Sequence, residues 1–541
     1  MNINRINLLD CTLRDGGYIN DWEFGHDNLI SVYERLAKAG VDIVEVGFID
    51  DRRPYDYNRS IFPNTASIAK TLGKAVLKPR MVVGMIDYGT CNLEYIQPCE
   101  ECFLDGIRVI FKKSKMQEAM EYCKALKDKG YAVFSQLVSI TSYSDEELME
   151  LIKLVNDVKP YAVSMVDTYG LLSPGELLHY YEILDREVSP EVIIGFHAHN
   201  NLQLAYANSL AFIEKQTDRN IIVDGTLFGM GKSAGNAPVE LIGRYLNAKG
   251  YQYDINSMLE AIEESIKEVH AVSPWGYQTK FFLSAENRCH PNYVTFFESK
   301  GNLSKSKLNE LLSKIEPEES KLLYDKALAE KLYQDYVSET VVDEKAVIKL
   351  NTEIDNRQVL VVGPGKNIEL QKQKVNSYIE NKKPFIVSIN YIPRNIKVDA
   401  VFITKLGRYK EMADELHDNP DAVQIVTSNV EVIDSDAAII FNREPLLEKK
   451  EDILDNSFLM MLKILYRSGV RNIALAGLDG YSDKEDNYFE PTMEYGFAKS
   501  VARHLNRHIH SVLTEDYKDV EFDFVTYSHY MEDEDPESAG F

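Results

Sequence analysis

The chain has 541 residues, of which 45% are hydrophobic and 27% charged, and its formal net charge is −25. It is too long for one compact core, because single domains usually contain roughly 100–250 residues. The composition excludes a largely disordered chain, and the negative charge disfavours binding to nucleic acid or to an anionic membrane. With no apolar run near the roughly 20 residues of a membrane span and no signal-peptide pattern, we expect a soluble cytoplasmic protein.

Short apolar segments rich in β-forming residues alternate with helical patterns through the first half of the chain. Eight such segments fall within about 250 residues, which is typical of a (β/α)8 TIM barrel, whereas a doubly wound open sheet rarely contains as many units. The predicted strands are Ile6–Cys11, Ile43–Phe48, Arg80–Met85, Ile107–Phe111, Ala132–Val138, Ala162–Val166, Val192–Phe196 and Ile221–Val223.

The second half begins with a charged helical pattern and continues as another α/β unit. Apolar positions three and four residues apart predict helices after the barrel, which could close it or support a homo-oligomer. Strand-like segments follow at Val359–Val362, Phe385–Ile389, Ala400–Ile403, Val423–Val426, Ala438–Phe441, Ile473–Ala476 and Phe522–Thr526. We therefore predict an α/β protein with a barrel domain at 1–253, a helical extension at 254–344, and a Rossmann-like α/β domain at 345–541 with an acidic tail.

One set of polar residues predicts a metal site at the barrel mouth. His197 and His199 are two residues apart at a strand end, so both side chains can point toward the barrel axis. Asp15 follows the first strand, at the face where barrel enzymes build their active sites. Two imidazoles and a carboxylate suit Mn²⁺, Mg²⁺, Fe²⁺, Co²⁺ or Zn²⁺ and leave positions open for substrate.

These residues lie in motifs that resemble the metal-dependent lyase and aldolase superfamily. That superfamily includes 3-hydroxy-3-methylglutaryl-CoA lyase, isopropylmalate and homocitrate synthases, and 4-hydroxy-2-oxovalerate aldolase. The resemblance extends from about Ile6 to Pro238, and it implies a barrel that makes or breaks carbon–carbon bonds. The matching motifs are Asp10-Cys-Thr-Leu-Arg-Asp-Gly-Gly17, Val44-Glu-Val-Gly-Phe48, Phe196-His-Ala-His-Asn-Asn201, Gly229-Met-Gly-Lys-Ser-Ala-Gly-Asn-Ala-Pro238 and, more weakly, Asp167-Thr-Tyr-Gly170.

The resemblance implies a role for each residue of the metal motifs. Asp15, His197 and His199 are the expected metal ligands, and Asn201 is expected to bind the metal or to support those ligands. Arg14 is the expected cation that stabilises the oxygen of an enolate. This is chemically apt, because a metal and a guanidinium together neutralise charge that develops in the transition state.

Three further residues of the barrel are candidates through the same resemblance. Glu45 and Asp167 are expected either to orient Arg14 or to contact the substrate directly. Thr168 is expected to donate a hydrogen bond to a substrate carboxylate. All three lie at predicted strand ends, where such contacts would be made.

The catalytic base is not identified by the motifs. Tyr18 occupies the approximate place where the aldolases tend to have a histidine base, and a tyrosine with the usual pKa of about 10 is a poor base at neutral pH. Tyr18 could instead act as an acid or a proton relay, and His290 and Tyr293 are alternative candidates for the base. The Gly-Gly-Tyr turn favours the aldolase branch over the acyl-CoA synthases.

Two glycine-rich turns are candidate sites for anions. The first follows the eighth strand, and its amide groups could hold a substrate carboxylate or phosphate, or the loop could merely close the barrel. Its candidate residues are Gly229, Gly231, Gly235 and Asn236. The second lies in the C-terminal domain, which weakly resembles sialyltransferase-type and pterin-pyrophosphokinase-type Rossmann-like domains. Its candidate nucleotide-binding residues are Gly363, Gly365, Asn390 and Asp479, although the turn could serve packing alone.

We therefore predict a divalent-metal-dependent aldolase or lyase that acts through the enolate of a 2-oxo acid such as pyruvate. Its substrates would be a small 2-oxo acid and an aldehyde. One alternative is a Claisen-type acyl-CoA synthase or lyase on the same barrel. The other is a bifunctional enzyme whose C-terminal domain is a nucleotide-dependent transferase, with a nucleotide or nucleotide-sugar as its partner.

Overall fold

The structure is a computed structural model that describes residues 6–531, apart from 216, 301–302, 340–342, 431, 433–437, 485, 490–492 and 495. The acidic tail predicted at the C-terminus lies almost entirely outside the described residues. The chain forms two compact units. One contains Met1–Thr295 and Leu312–Leu328, and the other contains Phe296–Leu311 and Ala329–Phe541.

The first unit contains a closed parallel barrel of eight strands. Its strands are β1 (Ile6–Asp10), β2 (Ile43–Ile49), β3 (Met81–Asp87), β4 (Gly106–Phe111), β5 (Ala132–Leu137), β6 (Ala162–Asp167), β7 (Ile193–Ala198) and β8 (Ile221–Gly225). Each strand pairs with the next, and β1 closes the barrel by pairing with β8 and β2. The predicted barrel is confirmed, with every strand within two residues of its predicted bounds.

Helices connect the strands and cover the outside of the barrel. Some of them begin at a residue whose side chain satisfies a free amide of the first turn; Ser144 and Ser173, for example, each form a capping box with the glutamate three residues later. The outer helices are His26–Lys38, Thr65–Leu72, Met116–Asp128, Asp145–Val158, Pro174–Glu187, Ala205–Glu214 and Val239–Ala248. Two single-turn helices, Thr12–Asp15 and Gly17–Asn20, follow β1 and place the first metal motif at the carboxyl end of the barrel.

The segment after the barrel is helical, as its pattern predicts. Its helices are Ile255–Ala261, Lys267–Val272, Thr279–Glu286, Pro291–Glu298, Lys305–Ser313, Glu318–Leu322 and Lys326–Glu339. This segment contributes to both compact units. The three-domain division expected from the sequence stays a prediction.

The second unit is built around a parallel sheet of seven strands. They are β9 (Val359–Val362), β10 (Phe385–Ile389), β11 (Ala400–Ile403), β12 (Val423–Thr427), β13 (Ile439–Phe441), β14 (Asn472–Ala476) and β15 (Glu521–Phe524). The strand order is β13-β12-β11-β10-β9-β14-β15. Strands β10 to β13 are added in sequence on one side of β9, and β14 and β15 are added on its other side, so the switch point lies between β9 and β14. Ligands of open α/β sheets bind at such a switch point.

Helices cover both faces of this sheet, whose central strands are buried, whereas the edge strand β15 is partly exposed. They are Glu344–Ile354, Asn367–Leu370, Lys372–Lys382, Leu406–Glu411, Ala413–Asp418, Ser457–Arg467, Gly496–Ser500 and Ala502–Ser511. The predicted second α/β fold is therefore confirmed. In the part of the chain that the structure describes, no helix combines the length and the apolar character that a membrane crossing would need.

Candidate metal centre in the barrel

Three predicted ligands meet at the carboxyl end of the barrel. Asp15 belongs to the single-turn helix after β1, His197 lies in β7, and His199 follows that strand directly. Asp15 Oδ2 lies 3.3 Å from His197 Nε2 and 3.7 Å from His199 Nε2. All three residues are at most 5% exposed. One carboxylate oxygen and two imidazole nitrogens are thus close enough to bind a single ion.

The other nitrogen of each imidazole is already hydrogen-bonded. His197 Nδ1 lies 3.1 Å from Asp224 Oδ2, and His199 Nδ1 donates to the Lys232 carbonyl at 3.2 Å. Both contacts place the ring proton on Nδ1, which leaves the Nε2 lone pair available for a metal. His197 Nε2 is buried and has no hydrogen-bond partner among the described residues. The donor set therefore fits a divalent ion.

Two of the three ligands have protonation states that suit metal binding. Burial favours the neutral form of Asp15, but the charge of Arg14 outweighs it and holds the pKa of this carboxyl well below its usual value. Burial lowers the pKa of His199 to about 4, so its imidazole is neutral at pH 7. Metal ligands must be deprotonated, and both groups meet that condition.

A buried network of charges surrounds the ligands. Glu45 Oε2 accepts hydrogen bonds from Arg14 Nε at 2.7 Å and from Arg108 Nη1 at 3.0 Å, and Arg108 also donates to Asp224. Together with Asp15, the cluster holds three carboxylates against two guanidinium groups, all nearly inaccessible to water. Buried charges need compensation. The excess negative charge would be balanced by a bound cation.

Arg108 and Asp224 were missed by the motif analysis. Each is a charged residue within an otherwise apolar strand, β4 and β8 respectively. A charge in such a strand is costly unless it is paired, and this signal was available in the sequence. What the sequence could not provide was the partner, since Arg108 and Asp224 are 116 residues apart in the chain.

Glu45 accepts a hydrogen bond from Arg14, and its two expected roles, orienting Arg14 and contacting the substrate, stay predictions. Asp167 instead accepts hydrogen bonds from the amides of Leu171 and Leu172 at 2.8 and 3.1 Å, so it shapes the loop after β6. Burial raises the pKa of Asp167 to about 6. Thr168 Oγ1 accepts a hydrogen bond from the Ser139 amide at 2.7 Å. Direct substrate contact by Asp167 or Thr168 stays a prediction.

The glycine-rich loop after β8 packs around the ligands. The Lys232 amide donates to Asp15 Oδ1 at 3.1 Å. A Cβ added to Gly231 would lie 2.8 Å from Asp15 Oδ1 and 2.2 Å from Asn236 Nδ2, so only glycine fits there. Asn236 Nδ2 donates to the Met230 carbonyl at 3.2 Å. These contacts show that the loop holds Asp15 in place.

Two more residues of the loop motifs have structural contacts. Asn201 is fully buried, and its Oδ1 accepts a hydrogen bond from the Ala234 amide at 3.1 Å. Gly235 has a φ of +84°, and a Cβ there would lie 2.1 Å from the Gly229 carbonyl oxygen. Asn201 therefore lies beside the ligands and supports the loop, whereas metal binding by Asn201 and substrate binding by the loop stay predictions.

The candidates for proton transfer lie in different settings. Tyr18 is 42% exposed and packs edge-on against Trp22 and Phe48. Desolvation of its hydroxyl raises the pKa of Tyr18 further above 10, despite the nearby charge of Arg14. Tyr18 is therefore protonated at pH 7, so it can donate a proton but cannot serve as a base in this state.

The two alternative candidates for the base lie after the barrel. Tyr293 is fully buried, donates to the Ser320 carbonyl at 2.9 Å and accepts from the Asp325 amide at 3.0 Å, which are structural contacts. His290 packs edge-on against Tyr169, with 5.4 Å between ring centroids. Burial lowers the pKa of His290 to about 4, so its imidazole is neutral at pH 7.

The candidate residues of the second unit lie around its switch point. Gly365, Asn390 and Asp479 line a cavity of about 310 Å³. The amides of Gly363 and Gly365 donate to the carbonyls of Ala476 and Gly477, at 2.8 and 2.7 Å, so this turn packs the loops after β9 and β14 against each other. Nucleotide binding by these four residues stays a prediction, because their contacts are within the protein.

Asp479 packs against the glycine-rich turn, and a Cβ added to Gly365 would lie 2.4 Å from its carboxyl carbon. Its Oδ2 accepts a hydrogen bond from the Asn367 amide at 2.8 Å, at the start of the short helix after the turn. The lining of the cavity also includes two basic residues, Lys405 and Arg408, together with Asp452 and Asp455.

A closed (β/α)8 barrel with two imidazoles, a carboxylate and a buried arginine at its carboxyl end is the architecture of a metal-dependent enzyme. Residues 5–269 match the HMGL-like family model. The barrel of this chain is therefore similar to HMGL-like domains, and the chain is a metal-dependent lyase that acts on carbon–carbon bonds. The resemblance, the class of enzyme and the divalent-metal requirement predicted from the sequence are confirmed.

Known proteins with similar sequences match about half of the chain. Oxaloacetate decarboxylase from Mycobacterium tuberculosis is 25% identical over 280 residues, which is 50% of this chain and 80% of that protein. 4-Hydroxy-2-oxovalerate aldolase from Pelotomaculum thermopropionicum is 29% identical over 259 residues, which is 47% of this chain and 74% of that protein. Among solved structures, the N-terminal domain of a candidate aldolase from Bacteroides vulgatus is 24% identical, with a TM-score of 0.47 over 56% of this chain and 99% of that one.

Proposed function

We propose that the barrel makes or breaks a carbon–carbon bond of a 2-oxo acid through a pyruvate-type enolate, with a divalent metal bound by Asp15, His197 and His199. The convergence of these three ligand atoms beside Arg14 carries the proposal. When bound, such an ion supplies a Lewis acid that polarises the carbonyl and carboxylate oxygens of the substrate. Mn²⁺, Mg²⁺, Co²⁺ and Zn²⁺ all suit the donor set.

The names of the two relatives support a common intermediate. Cleavage of 4-hydroxy-2-oxovalerate and decarboxylation of oxaloacetate both break the bond between C3 and C4 of a 2-oxo acid. In both reactions the electron pair of that bond remains on the 2-oxo acid fragment as the enolate of pyruvate. An enzyme that stabilises this enolate can therefore serve either reaction, and the second fragment decides the specificity.

The residues of the chain supply positioning and charge. Glu45 holds the Arg14 guanidinium at 2.7 Å, so the cation is fixed before the substrate arrives. A fixed cation that faces developing negative charge in a site closed to water stabilises the transition state strongly. Asp224 holds His197 in the protonation state that leaves Nε2 free. Tyr18, protonated at pH 7, is placed to donate a proton rather than to remove one.

Exchange of the pyruvate methyl protons for deuterium tests the proposal without knowledge of the aldehyde. We expect the wild-type protein to catalyse exchange in the presence of Mn²⁺ and to lose it with EDTA, since exchange requires the enolate. Asp15→Ala and His197→Ala should lose both metal binding and exchange. His179→Ala is the matched control, because His179 is an exposed histidine that contacts Asp145 outside the site.

Two outcomes would count against this function. Exchange that persists in an Asp15→Ala protein with no bound metal would show that these ligands are not required. Absence of exchange in the metal-loaded wild type, together with thiol release from acetyl-CoA, would favour the acyl-CoA alternative on the same barrel.

We further propose that the cavity of the second unit binds a nucleotide or a nucleotide-sugar. Its place at the switch between β9 and β14 supports this, as do Lys405 and Arg408 in its wall. Thermal unfolding of the full chain with CMP, UDP and ATP should show stabilisation by one of them, and Arg408→Ala should reduce that stabilisation. No shift with any of the three would refute this assignment. The cytoplasmic location and the homo-oligomer stay predictions.

A further inference from the structure

A second group of metal-ligand side chains lies in the second unit, and one of its members, Asp452, lines the cavity. His504 and His508 are four residues apart in the helix Ala502–Ser511, so both lie on the same face of that helix. Asp452 reaches them from a separate element, the single-turn helix Glu451–Ile453. The three side chains come from two elements that are about 50 residues apart in the chain, and they meet only in the folded protein.

The ligand atoms of this group lie close enough together for one ion to bind them all. Asp452 Oδ2 lies 2.5 Å from His508 Nδ1 and 3.3 Å from His504 Nε2, and all three ligand atoms lie within 4.8 Å of one another. Ligands about 2.1 Å from a tetrahedral ion lie about 3.4 Å apart. Binding an ion would therefore need only small adjustments of side chains that are partly exposed.

The simpler interpretation is a surface ion pair, but it leaves the two imidazoles unexplained. Their ring centroids are 4.0 Å apart, and one carboxylate oxygen faces both rings. A hydrogen bond between Asp452 and His508 alone would not account for the approach of His504 Nε2 to the same oxygen at 3.3 Å. One divalent ion between two neutral imidazoles and a carboxylate satisfies all three groups.

An ion bound by Asp452, His504 and His508 would lie beside the cavity of the second unit and could contact a ligand there. Asp452 and Leu505, the neighbour of His504, both line the cavity that also contains Lys405 and Arg408. Three protein ligands leave at least one coordination position open, as in catalytic zinc sites. An ion at this wall would add positive charge where an anionic ligand enters the cavity.

We propose that Asp452, His504 and His508 bind a divalent first-row transition ion such as Zn²⁺, independently of the metal centre in the barrel. The imidazole nitrogens favour such ions over Mg²⁺ and Ca²⁺, which prefer oxygen ligands. The site would take the anionic oxygen of a cavity ligand, for example a phosphate, as a further ligand.

Calorimetric titration of the metal-free full chain with Zn²⁺ tests the proposal. We expect two ions per chain in the wild type and one in a variant whose barrel site is removed by His197→Ala and His199→Ala. On that background, His504→Ala or His508→Ala should weaken the remaining site at least about tenfold. His417→Ala is the matched control, because His417 is an exposed histidine in another helix of the same unit, and it should leave Zn²⁺ binding unchanged.

Circular dichroism of the metal-free variants should match that of the wild type, since His504 is largely exposed. A barrel-silenced protein that binds no Zn²⁺ would overturn the proposal. So would a remaining ion whose affinity is unchanged in a folded His504→Ala, His508→Ala double variant. Neither outcome depends on enolate formation, so failure here is distinguishable from failure of the proposed barrel activity.

Discussion

The contact between Asp224 and His197 offers a quantitative test of the barrel metal centre. Asp224 Oδ2 accepts hydrogen bonds from both His197 Nδ1 and Arg108, whereas Asp224 Oδ1 has no partner among the described residues. In Asp224→Asn, the amide oxygen can replace Oδ2 and keep both hydrogen bonds. The substitution then removes mainly the negative charge, while Asp224→Ala removes the charge and both acceptors.

We expect a graded loss of metal affinity in these two variants. Losing a group that orients a metal-binding histidine typically costs 10–100-fold in affinity, or about 1.4–2.7 kcal/mol. Asp224→Asn should lose about tenfold in metal affinity. The histidine stays oriented in this variant, and the loss arises because the buried cluster no longer has its excess negative charge. Asp224→Ala should lie near the upper value, because nothing then holds the proton on Nδ1.

The stability of each variant must be measured beside its metal affinity. Arg108 would keep Glu45 at 3.0 Å and Gln136 at 3.0 Å, so the loss of stability should remain below the ~3–5 kcal/mol of a fully unpaired buried charge. Thermal unfolding without metal reports that loss, and calorimetric titration of the barrel site reports the affinity.

The surface pair Asp145–His179 provides the matched control. Its N–O distance is also 3.1 Å, but both side chains are more than half exposed. Asp145→Asn should leave metal affinity and pyruvate exchange unchanged. Folded Asp224→Asn and Asp224→Ala proteins that both bind metal within about twofold of the wild type would refute the orienting role of Asp224.

Three further predictions concern the loop, the arginine and the cavity. Gly231→Ala should weaken metal binding at least about tenfold, because its Cβ would displace Asp15. Gly175→Ala should leave metal binding unchanged, because no atom lies within 4 Å of the added Cβ. Calorimetric titration of both variants checks this. Arg14→Lys should lower kcat/KM about 10²–10³-fold with metal content unchanged, since lysine cannot contact Glu45 and Asp15 together; steady-state kinetics and metal analysis test it. Burial raises the pKa of Asp479 to about 6, so the folded state binds the extra proton and the stability of the second unit should fall as pH rises from about 4 to 6. The fall should be at most about 3 kcal/mol, since water reaches part of this residue, and a thermal-unfolding series in which Asp479→Asn has the same pH slope as the wild type would contradict it.

The fold was predictable because its signals are local. Each barrel strand is a short apolar segment between helical patterns, and such segments keep their character in any parallel sheet buried on both faces. The seven strands of the second unit were predicted for the same reason, three of them with their observed bounds. The division into compact units was less accessible, because the helices after the barrel contribute to both of them.

The ligands of the candidate metal centre were also predictable, since strand geometry places His197 and His199 on one side of β7 and the carboxyl end of β1 carries Asp15. Their supporting contacts were not. The sequence alone did not reveal that Gly231 is required by the approach of Asp15, or that Asp224 orients His197. The first contact joins residues near opposite ends of the barrel domain, and the second joins two strands that pair only in the folded barrel.

The sequence by itself therefore determined the two α/β architectures and the types of residue that can bind a metal, because both depend on periodicity and short spacing. Only the tertiary structure decided which nitrogen of each imidazole is free, which carboxylate braces Arg14, and how Asp452 meets His504 and His508. The physical reason is that hydrogen bonds and ion pairs act over a few ångströms, and such distances between remote residues exist only after the chain has folded.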